Sequence, residues 1–133
     1  MTRKLLVVDD DPALCQMLRR ILGSVGEVLT ATNGVDALRL LEAEKPSLML
    51  LDVVMPEMGG LEVLRAARRL DKGLVVLMLT GSSDLAIAKR ALEEGASAYF
   101  TKPFEREVLC AEVGRLMGLP EGDASGRPWR VRP

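Results

Sequence analysis

The chain has 133 residues, about one domain's length, and 48% of them are apolar, too many for a disordered segment. Lysine and arginine number 18 against 19 aspartate and glutamate, a net charge of −1 that argues against a strongly basic nucleic-acid surface. With no histidine, the chain lacks Ser-His-Asp and Cys-His catalysis and any His-ligated metal, so its chemistry falls to carboxylate, hydroxyl or lysine.

The basic start Met1-Thr2-Arg3-Lys4 leads into an apolar run, Leu5 to Val8, too short for a signal-peptide core. That run reads as a first strand, stopped by Asp9-Asp10-Asp11. Pro12 then opens a helix with Asp11 as its N-cap. Leu14, Met17, Leu18, Ile21 and Leu22 form its apolar stripe and Gly23 closes it. A second strand is expected over Val28 to Thr32, and a helix from Asn33-Gly34 until Pro46 ends it. Leu48 to Leu51 is a continuous apolar run ending at Asp52. A loop from Val53 to Gly60 follows, with Met55-Pro56 as a rigid turn and Met58 packing. Gly60 is expected to meet a demand for positive φ at the helix entry. The next helix runs from Leu61 to about Arg69 and buries Leu61, Leu64 and Ala67. A fourth strand, Leu74 to Leu79, ends at Thr80-Gly81. An Ala-rich helix with a weak apolar stripe spans about Ser83 to Glu94. Ala98 to Phe100 is a short fifth strand before Thr101-Lys102-Pro103, and the last helix carries Leu109, Val113 and Leu116.

Five βα units with strands apolar on both faces require a parallel sheet covered by helices. Right-handed crossovers make it a doubly wound α/β sheet in a single domain. The expected domain occupies residues 1–118. Residues 119–133 hold three prolines, two glycines and Arg127, Arg130 and Arg132, the composition of a tail or linker. No apolar run approaches membrane-spanning length. Cys15 and Cys110, without C-x-x-C spacing, read as reduced helix thiols of a cytoplasmic protein.

Ligands of open α/β sheets bind outside the carboxyl ends of the strands. Those ends carry Asp9-Asp10, Asp52, Thr80 and Lys102, which therefore converge on one rim. Three neighbouring carboxylates repel by roughly 3 kcal/mol per pair at ~5 Å and an effective dielectric of ~20. One lysine does not offset this, and a divalent cation with oxygen ligands does, Mg²⁺ fitting better than a Ca²⁺ cage. No P-loop or dinucleotide fingerprint is present, and the Asp-Asp-Asp loop repels a bare nucleotide. An aspartate is also a competent nucleophile toward phosphorus, and Asp52 is the most central.

These residues resemble the receiver domains of two-component response regulators. The resemblance rests on Asp9-Asp10, on Leu-Leu-Asp-Val-Val-Met-Pro-Glu-Met-Gly-Gly-Leu around Asp52, and on Leu79-Thr80-Gly81. It rests also on Gly95-Ala96 and on Tyr99-Phe100-Thr101-Lys102-Pro103-Phe104, and it covers about residues 3–118. It implies the flavodoxin-like strand order 2-1-3-4-5. It implies Asp52 as phosphoacceptor, and Mg²⁺ held by Asp10 directly, Asp9 largely through water, Asp52, and the carbonyl of Val54. Lys102 and Thr80 would hold phosphoryl oxygens, Thr80 and Tyr99 would form the switch, and Lys102-Pro103 would be a cis peptide.

The implied function is a phosphorylation-activated signalling switch, no enzyme beyond its own phosphotransfer and dephosphorylation. The donor would be a sensor histidine kinase or phosphotransfer protein. The downstream partner would dock on the face formed by the fourth helix, fifth strand and fifth helix. A monomer or a phosphorylation-dependent dimer is expected, without membrane or direct nucleic-acid binding. Ser97-Ala98 stands where many winged-helix DNA-binding members carry an acidic pair. No helix-turn-helix pattern follows Met117, so the expectation is a stand-alone receiver or the front piece of a longer protein. The alternative is an aspartate-nucleophile phosphohydrolase, which places a second aspartate where this chain has Val54.

Overall fold

The computed structural model describes residues 3–53, 55, 58–81 and 85–118. Ten elements alternate along the chain: β1 (Lys4–Val8), α1 (Pro12–Leu22), β2 (Glu27–Ala31), α2 (Gly34–Glu44), β3 (Leu48–Asp52), α3 (Gly60–Leu70), β4 (Val75–Gly81), α4 (Leu85–Glu93), β5 (Ala98–Lys102) and α5 (Arg106–Leu116). The five strands are parallel in the order β2-β1-β3-β4-β5, the doubly wound arrangement expected from the sequence.

Strand alternation divides the core in two. Leu6, Val8, Met49, Leu51, Val76 and Met78 pack with Ala37 and Leu41 of α2, Val63, Leu64 and Ala67 of α3, and Ala91 of α4. Leu5, Val7, Leu48, Leu50, Leu77 and Leu79 pack with Cys15, Leu18 and Leu22 of α1 and Leu109 and Val113 of α5. The central strands are therefore apolar on both faces, which is why they read as unbroken runs.

The helix starts follow local chemistry. Asp11 caps α1 by accepting from the amide of Ala13 at 3.0 Å, and Asn33 caps α2 by accepting from Asp36 at 2.8 Å. At the end of α2, Lys45 takes a left-handed φ of 48° while its amide bonds Leu41. Pro46 disfavours right-handed helical geometry at the residue before it, which accounts for the stop.

Gly23 closes α1 as expected, at a φ of −60°, and the chain then turns with the Val25 and Gly26 amides bonded to Leu22. Two expectations need correction. Val63 takes the buried place expected of Leu61, which is only half-buried beside it. Gly60 lies within α3, and the positive-φ glycines among the described residues are Gly95 and Gly118. Gly60 is required by close approach: a Cβ there would stand 2.5 Å from the Asp52 carbonyl oxygen and 2.8 Å from that of Val53.

Lys102-Pro103 is cis, as expected. The tail at 119–133 and the Val54 carbonyl lie outside the described residues. Among the described residues no helix is long and apolar enough to cross a membrane.

Candidate functional site

The parallel register brings the carboxyl ends of β1, β3, β4 and β5 to one rim. Asp52 ends β3 opposite Leu79, and Lys102 ends β5 opposite Gly81, one residue beyond Thr80. Asp9 and Asp10 follow β1 directly. Residues as distant as Asp9 and Lys102 thus become neighbours.

Strand parity sorts these groups by face. Asp9, Asp52 and Lys102 continue the alternation of Val7, Leu50 and Phe100, on the side of α1 and α5. Thr80 and Tyr99 continue that of Met78, on the side of α4, because Met78 pairs with Tyr99 and Thr80 with Thr101. The charged site and the switch pair expected from the sequence therefore occupy opposite faces of the same strand ends.

Asp9 is buried and held from several directions. Its carboxylate accepts from the Asp11 amide at 2.9 Å and from Lys102 Nζ at 3.2 Å. Its amide donates to Ala31, and its carbonyl accepts from the Cys15 thiol at 3.3 Å. Lys102 Nζ also lies 3.6 Å from Asp52 Oδ1, so one ammonium bridges two buried carboxylates. Burial pushes the Lys102 ammonium toward neutrality, but the charges of Asp52 and Asp9 outweigh it and raise its pKa above the ordinary value. Burial, followed by the Asp9 charge, likewise keeps Cys15 a thiol.

Asp52 is 8% exposed and shares an acidic cluster with the exposed Asp10. One oxygen from each of Asp9, Asp10 and Asp52 lies within 4.8 Å of the others. Three hard oxygen donors from carboxylates, one facing solvent, suit a hydrated divalent cation, and their net charge exceeds what Lys102 offsets. The structure thus brings together four side chains singled out in the sequence, Asp9, Asp10, Asp52 and Lys102, while Thr80 ends the neighbouring strand with its side chain on the other face.

Thr80 is fully buried, and its hydroxyl donates to the Gly81 carbonyl at 3.1 Å. Tyr99 stands 38% exposed on β5. The sequence reading missed Gly60 as a packing neighbour of Asp52. It also missed the Cys15 contact with the Asp9 carbonyl. Neither has a signal in spacing alone.

Comparison with known proteins identifies the family and the fold. Residues 5–114 match the family profile of the response regulator receiver domain. The response regulator MprA of Mycobacterium avium (strain 104) is 40% identical over 124 residues, covering 91% of this chain and 54% of MprA. The chain thus spans about half the length of the curated relatives it matches. A receiver domain from Clostridium thermocellum superposes with a TM-score of 0.82 at 30% identity, over 87% of this chain and 94% of that one. The BeF3-activated receiver domain of DrrB superposes with a TM-score of 0.81 at 34% identity, over 89% of this chain and 99% of that one. The chain belongs to the family of response regulator receiver domains, the phosphorylation switches of two-component systems.

Proposed function

We propose that this receiver domain accepts a phosphoryl group on Asp52, with residues 1–118 as the working unit and 119–133 as a tail or linker. The observation that carries the assignment is the Lys102 ammonium lying against Asp52 and Asp9 at the end of the central strand. In the transfer, an Asp52 oxygen forms a bond to phosphorus while the donor's phosphorus–nitrogen bond breaks. The electron pair leaves with the imidazole of a histidine kinase or phosphotransfer protein. Lys102 neutralises charge on the incoming oxygens, and Thr80 donates to another once its bond to Gly81 is released.

Asp9, Asp10 and Asp52, with the carbonyl of Val54, would hold Mg²⁺. When bound, that ion supplies positive charge against the carboxylates and the phosphoryl oxygens. Asp9 orients Lys102, and the backbone amide of Asp11 orients Asp9. Water attacking the phosphorus hydrolyses the acyl phosphate, returns the Asp52 carboxylate and resets the switch.

The output runs through Thr80 and Tyr99. When the Thr80 hydroxyl turns toward the phosphoryl group, space opens on the α4 side of the sheet and Tyr99 swings inward. The surface of α4, β5 and α5 then changes shape for a downstream partner, in a monomer or a phosphorylation-dependent dimer. The proposed compartment is the cytoplasm, with both thiols free.

Beryllofluoride with Mg²⁺, a mimic of the aspartyl phosphate, tests the switch. Amide NMR signals of residues 82–110 should move well beyond those touching Asp52. Perturbation confined to the immediate surroundings of Asp52 would contradict a switch.

A further inference from the structure

α4 is held unequally along its length. Its buried residues are two alanines, Ala88 and Ala91, so its footprint on the sheet is shallow. Leu85 and Ile87 of its first turn, close in the chain to Gly81, are exposed, as is Leu92 of its last turn, so the inequality lies in the polar contacts beyond its end. The turn that follows it, Glu94–Gly95, is bound to α3 by two arginines.

Arg65 reaches the Glu94 carboxylate with both Nε and Nη2, the latter at 3.1 Å. Arg90, one turn back on α4, donates to the same carboxylate at 3.0 Å. Arg68 donates through Nη2 to the Gly95 carbonyl at 2.5 Å. Through Nη1 it donates to Leu74 at 2.5 Å and to Lys72 at 3.1 Å. One guanidinium therefore ties the turn after α4 to the turn after α3, using the planar set of donors that lysine lacks. Its charge also suits the carbonyl ends of both helices. Gly95 has φ +115°, and a Cβ there would stand 3.2 Å from Arg68 Nε. The turn is thus shaped around the arginine. Arg65, followed by Arg90, holds the Glu94 carboxyl down to about 2, so the ion pair is intact across the physiological range.

We propose that Arg65 and Arg68 form a fixed pivot for the C-terminal end of α4, so that the helix answers phosphorylation of Asp52 by tilting about Glu94–Gly95 instead of sliding along the sheet. The inference deepens the switch reading and rests on it for the motion, while the clamp itself exists without phosphorylation. A tilt carries the largest displacement to Leu85 and Ile87 and leaves the entry to β5 in place.

Two measurements test this. In the unmodified domain, the Ala96 amide, bonded to Ala91 at 2.9 Å, reports on the clamped turn through hydrogen exchange. Arg68→Met should speed its exchange about tenfold, and the exposed Arg65→Met should do so more weakly. The conservative Arg65→Lys should keep more of the protection than Arg65→Met. With beryllofluoride and Mg²⁺, NMR shifts in the native sequence should be largest at residues 85–88 and decline toward 92–97. In Arg65→Met and Arg68→Met that gradient should flatten. Unchanged Ala96 exchange in both variants overturns the clamp, whatever beryllofluoride does. Uniform shifts along α4 in the native sequence overturn the pivot. Absence of any shift at Asp52 and Thr80 sinks the switch reading and the tilt with it.

Discussion

Gly60 lies so close to Asp52 that a methyl group on its Cα would stand 2.5 Å from the Asp52 carbonyl oxygen. The first turn of α3 is thereby packed on the peptide of the proposed phosphoacceptor, and the Gly60 amide closes the loop by donating to Val53 at 3.1 Å. The three nearest contacts of the added methyl, the Asp52 and Val53 carbonyl oxygens and Val53 Cα, are all backbone, which cannot rotate away. Gly60→Ala should therefore cost about 1–3 kcal/mol in urea denaturation. It should also slow phosphorylation of Asp52, because the loop after that residue must shift. Stability and phosphorylation both unchanged would show that the loop has room.

Lys102 should link stability to alkaline pH. Its folded pKa is raised, so its stabilising contribution is complete below the ordinary value of 10.5 and is lost as pH rises through the folded value. Lys102→Met removes that contribution and should cost about 1.5–3 kcal/mol at pH 7. The difference between the two proteins in denaturant melts should narrow only above pH 10.5. A difference that is flat from pH 7 through that range would mean Lys102 gains nothing from Asp9 and Asp52.

The two acidic residues after β1 should behave oppositely without metal. Asp10 is exposed and beside two carboxylates, so Asp10→Ala should leave the metal-free protein slightly more stable. Asp9 is buried, and Asp9→Ala strips partners from Lys102 and the Asp11 amide, so that variant should be less stable. Calorimetry should show weaker Mg²⁺ binding in both, with the larger loss in Asp10→Ala. Unchanged affinity in both variants would remove the proposed metal site.

Much of this arrangement is readable in the sequence. Asp9, Asp52 and Thr80 each sit where an apolar run stops and Lys102 two residues past one, and a parallel sheet puts all such ends on one rim. Thr101 and Lys102 belong to β5 although the apolar run ends at Phe100, because pairing with Thr80 and Gly81 extends the strand. What stays hidden depends on approach in space. Gly60 looks like a turn glycine until Asp52 is seen against it. Arg65 and Arg68 look like a solvated helix face until Glu94 and the Gly95 carbonyl are placed opposite them. The opposed faces of Lys102 and Tyr99 follow from strand parity once β5 is seen to run on through Lys102.

Thr80 should separate chemistry from signalling. Its hydroxyl donates to the Gly81 carbonyl, and strand parity puts it on the α4 face with Tyr99. Thr80→Ala should still take up phosphate on Asp52, yet the beryllofluoride-induced NMR shifts around Tyr99 should shrink. Distant shifts of full size in that variant would break the Thr80–Tyr99 relay and leave the acceptor assignment standing.

The central claim is that Asp52 is the acceptor and that the acidic cluster requires Mg²⁺ to work. Intact mass spectrometry after incubation with acetyl phosphate tests it most directly. With Mg²⁺ the protein should gain about 80 Da, one phosphoryl group in place of a proton. With chelator, or in Asp52→Asn, it should gain nothing. Full phosphorylation of Asp52→Asn, or an unmodified native protein in Mg²⁺, would contradict the account.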